Sequence, residues 1–144
     1  MCKQDTSVKK QILLIPILFF TLSSWSQQLS ITIDHPKKEN AILYVAVYSS
    51  EAQFKNGEMQ AKKKISGDAI NKPIIFNNLP KGKLSVAVYF DTNKNEKLDV
   101  KKNGIPTEPF GFSNNPGLGV PSFLKTAFTF DANTEITIKI KSLP

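Results

Sequence analysis

Apolar and polar residues alternate along most of this chain, and the alternation has the period of a strand. Leu29, Ile31 and Ile33 alternate with Ser30, Thr32 and Asp34. Leu84, Val86, Val88 and Phe90 alternate with Ser85, Ala87 and Tyr89, and Ile136, Ile138 and Ile140 with Thr137, Lys139 and Lys141. Successive side chains of a strand point to opposite faces, so each run predicts a strand with one buried face. Ala41 to Tyr48 is apolar on both faces, which predicts a central strand. Lys62 to Ser66 predicts an edge strand whose lysines discourage edge-to-edge pairing. Ile74 to Phe76, opened by Pro73, and Ala127 to Phe130 complete the set. The polar stretch Ser49 to Gly57 has room for a helical turn, and no segment carries a convincing amphipathic helix. Leu79-Pro80-Lys81-Gly82 predicts a turn, and Asp131-Ala132-Asn133 a hairpin turn between the last two strands. Asp91 to Ser122 reads as one long loop.

About seven short strands at this spacing predict an all-β fold: a single antiparallel β-sandwich of immunoglobulin or transthyretin type. The expected core is Ile31, Ile33, Val45, Val47, Val86, Val88, Phe128 and Ile138. Val-Ala-Val-Tyr occurs at 45–48 and again at 86–89. Two central strands with similar packing demands account for that repeat, and so would a duplicated half-domain.

Residues 1–26 break the pattern. Lys3, Lys9 and Lys10 precede an apolar run from Ile12 to Leu22, and Ser24 and Ser26 follow it. A basic start, an apolar centre and a small-residue site in that order predict a signal peptide cleaved after Ser26. As a helix, the run spans only about 17 Å against a hydrocarbon core of about 30 Å, too short for a stable membrane span. The expected mature domain is 27–144, in the periplasm or outside the cell. The single cysteine, Cys2, falls in the leader, so the mature domain is expected to lack thiol chemistry.

The 144-residue chain carries a formal charge of +7, and all 19 of its basic residues are lysine. Without arginine, the usual bidentate reader of phosphate and guanine, no nucleic-acid partner is expected. Natural partners are otherwise open. The only histidine, His35, stands beside Pro36 and is expected to face solvent. No Ser/His/Asp or Cys/His set can be assembled around it.

Candidate chemistry lies in the long loop. Asp91, Asn93, Asn95 and Asp99 stand at positions 1, 3, 5 and 9 of a short segment, with the Lys97 carbonyl at position 7. That spacing wraps oxygens around a hard cation such as calcium. It also suits a plain Asx-rich turn. Position 6 is Glu96, where a glycine would ease the turn, and position 12 is Lys102 rather than a bidentate glutamate. Further along, Glu108 is placed to add a carboxylate if the loop folds back. Phe110, Phe112 and Asn114 are candidates for ligand contact, although such phenylalanines also serve to cap a sandwich.

Leu79-Pro80-Lys81-Gly82, Ala87 to Asp91, Asn93 to Asp99, Gly104-Ile105-Pro106 and Glu108 to Asn114 follow one another in order. Together they resemble the bacterial exported proteins grouped as domain of unknown function 2141, over roughly residues 29 to 141. The resemblance implies export and a sandwich-like fold, and no activity. The functional expectation is an exported, non-catalytic envelope module that binds or supports something, with calcium as its one candidate cofactor. The alternative is a small hydrolase using a carboxylate pair such as Asp99 and Glu108.

Overall fold

The computed structural model describes residues 27–35, 41–117 and 119–142. The expected leader, with Cys2 inside it, lies outside these. Eight strands and little helix make up the described chain. The strands are β1 (Gln28–Asp34), β2 (Ile42–Tyr48), β3 (Ala61–Ser66), β4 (Ile74–Asn77), β5 (Gly82–Asp91), β6 (Phe110–Phe112), β7 (Phe128–Phe130) and β8 (Thr134–Lys139). Two short helices, α1 (Glu51–Asn56) and α2 (Phe123–Thr126), and a 3₁₀ turn (Gly67–Asn71) fill connections. Ser50 caps α1 by accepting the Gln53 N–H, and Gly57 ends it at a φ of 70°.

The strands form two sheets, as the alternation requires. One has the order β4-β1-β8; the other runs β3-β2-β5-β6, with β7 on the first residues of β5. The period-two residues make the core between them. Leu29 and Ile31 of β1 and Ile138 of β8 meet Val45, Val47, Val86, Val88 and Phe90 of the other sheet. The expected lysine-rich edge strand is β3, at the margin of the larger sheet. Its Lys63 reaches across the open side of the sandwich, where Nζ donates to the Ile75 carbonyl and stands 5.1 Å from the Phe76 ring centroid.

Five details differ from the sequence pattern. β1 and β8 pair in parallel, Leu29 opposite Thr134 through Asp34 opposite Lys139, so the smaller sheet is mixed. Asp131–Asn133 closes no hairpin: β7 pairs with β5 and β8 with β1, and the turn carries the chain from one sheet to the other. Phe130, fully buried, takes the core position at that corner, leaving Phe128 half-buried against the margin. The long loop contains β6, whose three residues are too few to show an alternation. His35 is also half-buried rather than solvent-facing, its ring 5.3 Å from that of Phe90.

The repeated tetrapeptides lie on the two central strands. β2 and β5 run antiparallel with Val45 opposite Val88, Ala46 opposite Ala87 and Val47 opposite Val86. The valines point into the core and the alanines point out, so one packing demand is met twice across a single strand pair.

Candidate functional site

The outer face of the larger sheet is apolar where a solvated sheet face would be polar. Register places Lys64, Tyr44, Tyr89 and Phe110 in one row across β3, β2, β5 and β6. The next row is Lys62, Ala46, Ala87 and Phe112. The alanines leave a hollow between large neighbours. Tyr44 and Tyr89 stack on one side of it, centroids 5.0 Å apart and planes 7° from parallel. On the other side α1 holds Phe54 edge-on to Tyr48 at 5.3 Å, with Phe112 at 6.3 Å.

Two adjoining clefts lie on this face, bordered by Glu96, Leu98 and Pro121 from the connections on either side of β6. One, of about 720 Å³, lies over the alanines between Tyr44, Tyr89, Phe54 and the β3 lysines. The other, of about 740 Å³, lies between Val100, Ile105, Val120 and Lys125. Leu98, Phe110, Phe112 and Pro121 line both, so the two form one trough. Each is of ligand-pocket size.

Electrostatics at the trough are those of lysine and buried phenol. Lys64 Nζ pairs with Glu96 Oε1 at 2.6 Å. That bond holds the Glu96 carboxyl below, and the Lys64 ammonium above, their ordinary ranges. Burial pushes the Tyr89 phenol up to about 12, with the charges of Tyr44 and Asp91 adding to it. Burial also raises the Tyr48 phenol. Tyr44 Oη is buried without a hydrogen bond of ordinary geometry, and Lys64 Nζ stands 5.5 Å from its ring centroid.

The Asp91 loop forms the wall next to Glu96. Asp91 ends β5 on the outer face and is fully buried. Its two oxygens accept the N–H groups of Asn95 (3.1 Å) and Glu96 (2.9 Å). Asp99 accepts from Asn93 Nδ2 at 2.6 Å and from Asn95 Nδ2 at 2.9 Å, so Asn95 touches both carboxylates. Lys97 enters through its N–H, which Asn95 Oδ1 accepts at 3.0 Å. Glu96 adopts a φ of 65°, the left-handed conformation that glycine would take without strain, and the Lys64 pair anchors it there. Glu108 does fold back, and it serves as a brace. It is buried, Oε1 accepting the Thr92 N–H at 2.8 Å and Oε2 the Asp99 N–H at 3.2 Å. Two carboxylates and two amides are the donors calcium takes; here both carboxylates meet Asn95, while the amide oxygens of Asn93 and Asn95 accept the N–H groups of Asn95 and Lys97 and their nitrogens face Asp99. No cluster of three or more His, Cys, Asp or Glu side chains suited to a metal occurs among the described residues.

The segment after Glu108 fixes the trough floor. Gly111 lets β6 lie against β8: a Cβ there would stand 2.7 Å from Ile138 Cγ2 and 2.8 Å from the Lys139 carbonyl oxygen. Ser113, buried, accepts the Val86 N–H and donates to the Thr126 carbonyl. Asn114 Nδ2 donates to the Ala127 carbonyl, so this candidate ties β6 to the chain before β7. Phe110 and Phe112 line the sheet face rather than cap the end of the sandwich.

The loop candidates therefore come together, and Phe110 and Phe112 join a site whose other half the motifs did not mark. Tyr44, Ala46, Ala87 and Tyr89 escaped notice because central-strand residues read as core. The available signal was the apolar outer face of Ala41–Tyr48, which must be covered by something other than the facing sheet.

Fold and site define a class: a two-sheet β-sandwich whose larger sheet carries a loop-bordered aromatic trough on its outer side. Residues 31–139 match the model of the family described as "Uncharacterized protein conserved in bacteria (DUF2141)", and the chain belongs to that family. No curated protein and no solved structure matches it.

Proposed function

We propose that this protein is an exported, non-catalytic binding module of the periplasm or extracellular space, with the aromatic trough as its binding face. One observation carries this reading. Of the six large hydrophobic side chains exposed among the described residues, five (Met59, Leu98, Val100, Ile105 and Val120) line the trough. Exposed apolar surface gathered in one concave place marks an interaction site, whereas scattered singles mean nothing. Export rests on the leader pattern in residues 1–26. Against a carboxylate hydrolase, the trough is lined by a single acid, Glu96, held ionised by Lys64. Glu108 is committed to bracing backbone amides. The test is uptake of a neutral, environment-sensitive apolar dye by the folded protein. Saturable binding that disappears in Ala46→Phe is expected; no saturable uptake by the folded protein overturns the reading.

A second reading concerns the Asp91 loop, favoured by the convergence of Asp91, Asn93, Asn95 and Asp99. A weakly held calcium ion there, also taking the Lys97 carbonyl, would replace the amide N–H donors now bonded to Asp99. At tenfold excess over its dissociation constant it would stabilise the fold by about 1.4 kcal/mol. Thermal melts with and without calcium decide this. Asp99→Ala is expected to erase the shift and Glu96→Gly to enlarge it by relieving the turn. No shift in either the wild type or Glu96→Gly leaves the loop a polar turn.

A further inference from the structure

The chemistry of the trough selects among apolar ligands. We infer that it holds an anionic amphiphile: a single flexible apolar chain on the alanine floor, with a negatively charged head group at the lysine rim. The inference rests on the binding-module reading and adds the ligand class.

Three features of the lining argue for it. The first is polarity. Tyr44, Tyr89, Phe54, Phe110 and Phe112 surround the alanines, while Leu98, Val100, Ile105 and Val120 continue the apolar surface into the second cleft. A sugar would bring several hydroxyls into this lining, where polar side chains beyond the phenols and the rim charges come down to Asn103 alone. Each hydroxyl buried without a partner gives up its bonds to water for nothing. An apolar chain incurs no such cost.

The second feature is shape. The hollow is a groove set by register, one small residue deep on each central strand, with aromatic walls in the rows on either side. The cleft over the alanines and the cleft under Val100 and Val120 connect through Leu98, Phe110, Phe112 and Pro121. A long, narrow, bendable molecule fills such a path better than a compact ring system.

The third is charge. The lining contains Lys62, Lys63, Lys64, Lys125 and Lys141 against the one acid, Glu96. Three of the lysines are committed: Lys63 to the Ile75 carbonyl, Lys64 to Glu96 and Lys141 to the Pro116 carbonyl. Lys62 and Lys125 are exposed, and no hydrogen bond or ion pair engages either head group within the described residues. The one carboxylate is already neutralised, so the field at the rim is positive. It attracts a carboxylate, sulfate or phosphate head and repels a cationic one.

The experiment uses three probes with the same twelve-carbon chain, each below its micelle concentration: dodecanoate, dodecanol and dodecyltrimethylammonium. Binding to the purified protein is measured by calorimetry and by thermal shift, at low and high salt. Dodecanoate is expected to bind saturably and to weaken with salt. Dodecanol is expected to bind more weakly and the cationic probe weakest. Lys62→Gln with Lys125→Gln should lower dodecanoate affinity roughly three- to tenfold and leave dodecanol unchanged. Ala46→Phe should abolish binding of all three. Ala87→Phe fills the same hollow from the neighbouring strand and serves if the first variant folds poorly. Equal affinity for the three probes overturns the anionic preference while the binding module stands. No binding of any probe by a protein that takes up the neutral dye overturns the amphiphile and leaves the trough to a ligand of another shape. Failure of both probes and dye removes the binding face altogether. A wild type that dimerises, with Ala46→Phe monomeric, assigns the trough to a second copy of the chain and also overturns the inference.

Discussion

At the scale of single residues, the most constrained position is one with no side chain. Gly111 sits where a methyl group would overlap Ile138 and the Lys139 carbonyl. Gly111→Ala is expected to lower stability by about 1–3 kcal/mol in denaturant unfolding, through overpacking. Gly117→Ala, with open space around it, should change stability by less than about 0.5 kcal/mol. Tyr89 makes a pH prediction. The fold keeps its phenol protonated up to about 12, whereas an unfolded chain releases that proton near its ordinary value of about 10. Between those values the unfolded state has fewer protons, so stability falls as pH rises through the window. Ultraviolet titration should show a late phenolate in the wild type that is missing in Tyr89→Phe. At this scale the sequence was informative about the core: of the eight expected core residues, only Phe128 is not buried. Period-two spacing reports which face a residue occupies. It does not report what lies above the outer face, so the aromatic trough was illegible strand by strand.

At the scale of elements, long alternating strands were legible and short pieces were not. β1, β5 and β8 each carry several alternations, and β2 an unbroken apolar run. β6 has three residues with a glycine at the centre, and it is held by β5 on one side and by a bridge from Phe110 to Lys141 on the other. The Asp91 loop shows the same limit from another direction. Its spacing revealed that four oxygen side chains would gather. It did not reveal that Glu108, from the far end of the long connection, would clamp Thr92 and Asp99. Glu108→Gln puts an amide donor where one of two backbone donors now finds an acceptor. The expected result is faster hydrogen exchange at Thr92 and Asp99, with a global loss of about 1–3 kcal/mol for the unsatisfied buried group. Unchanged exchange at both amides would show that the loop is held by the Asp91 bonds alone.

At the scale of the whole molecule, one of the larger sheet's two faces is buried in the sandwich and the other carries the trough, bordered by residues of its own long connection. Most of the sequence landmarks are placed by that arrangement: the alanines of the repeated tetrapeptide at its floor, the lysines of β3 at its rim, the glycine and phenylalanines of β6 along its side. The smaller sheet has a different consequence, one that concerns time. Its middle strand is the first of the fold and pairs in parallel with the last, Leu29 beside Thr134. A sheet joined this way cannot close until synthesis has passed Lys139, and contacts this distant in sequence form slowly. A chain ending at Asn133 is expected to stay unfolded and protease-sensitive, while one ending at Ser142 folds. Under the export proposed above, the delay would suit delivery, since threading through a membrane pore requires an extended chain. The order of strands would hold the chain unstructured during delivery, as a holding chaperone does for other cargo, and the arrival of the final strand would release it to fold.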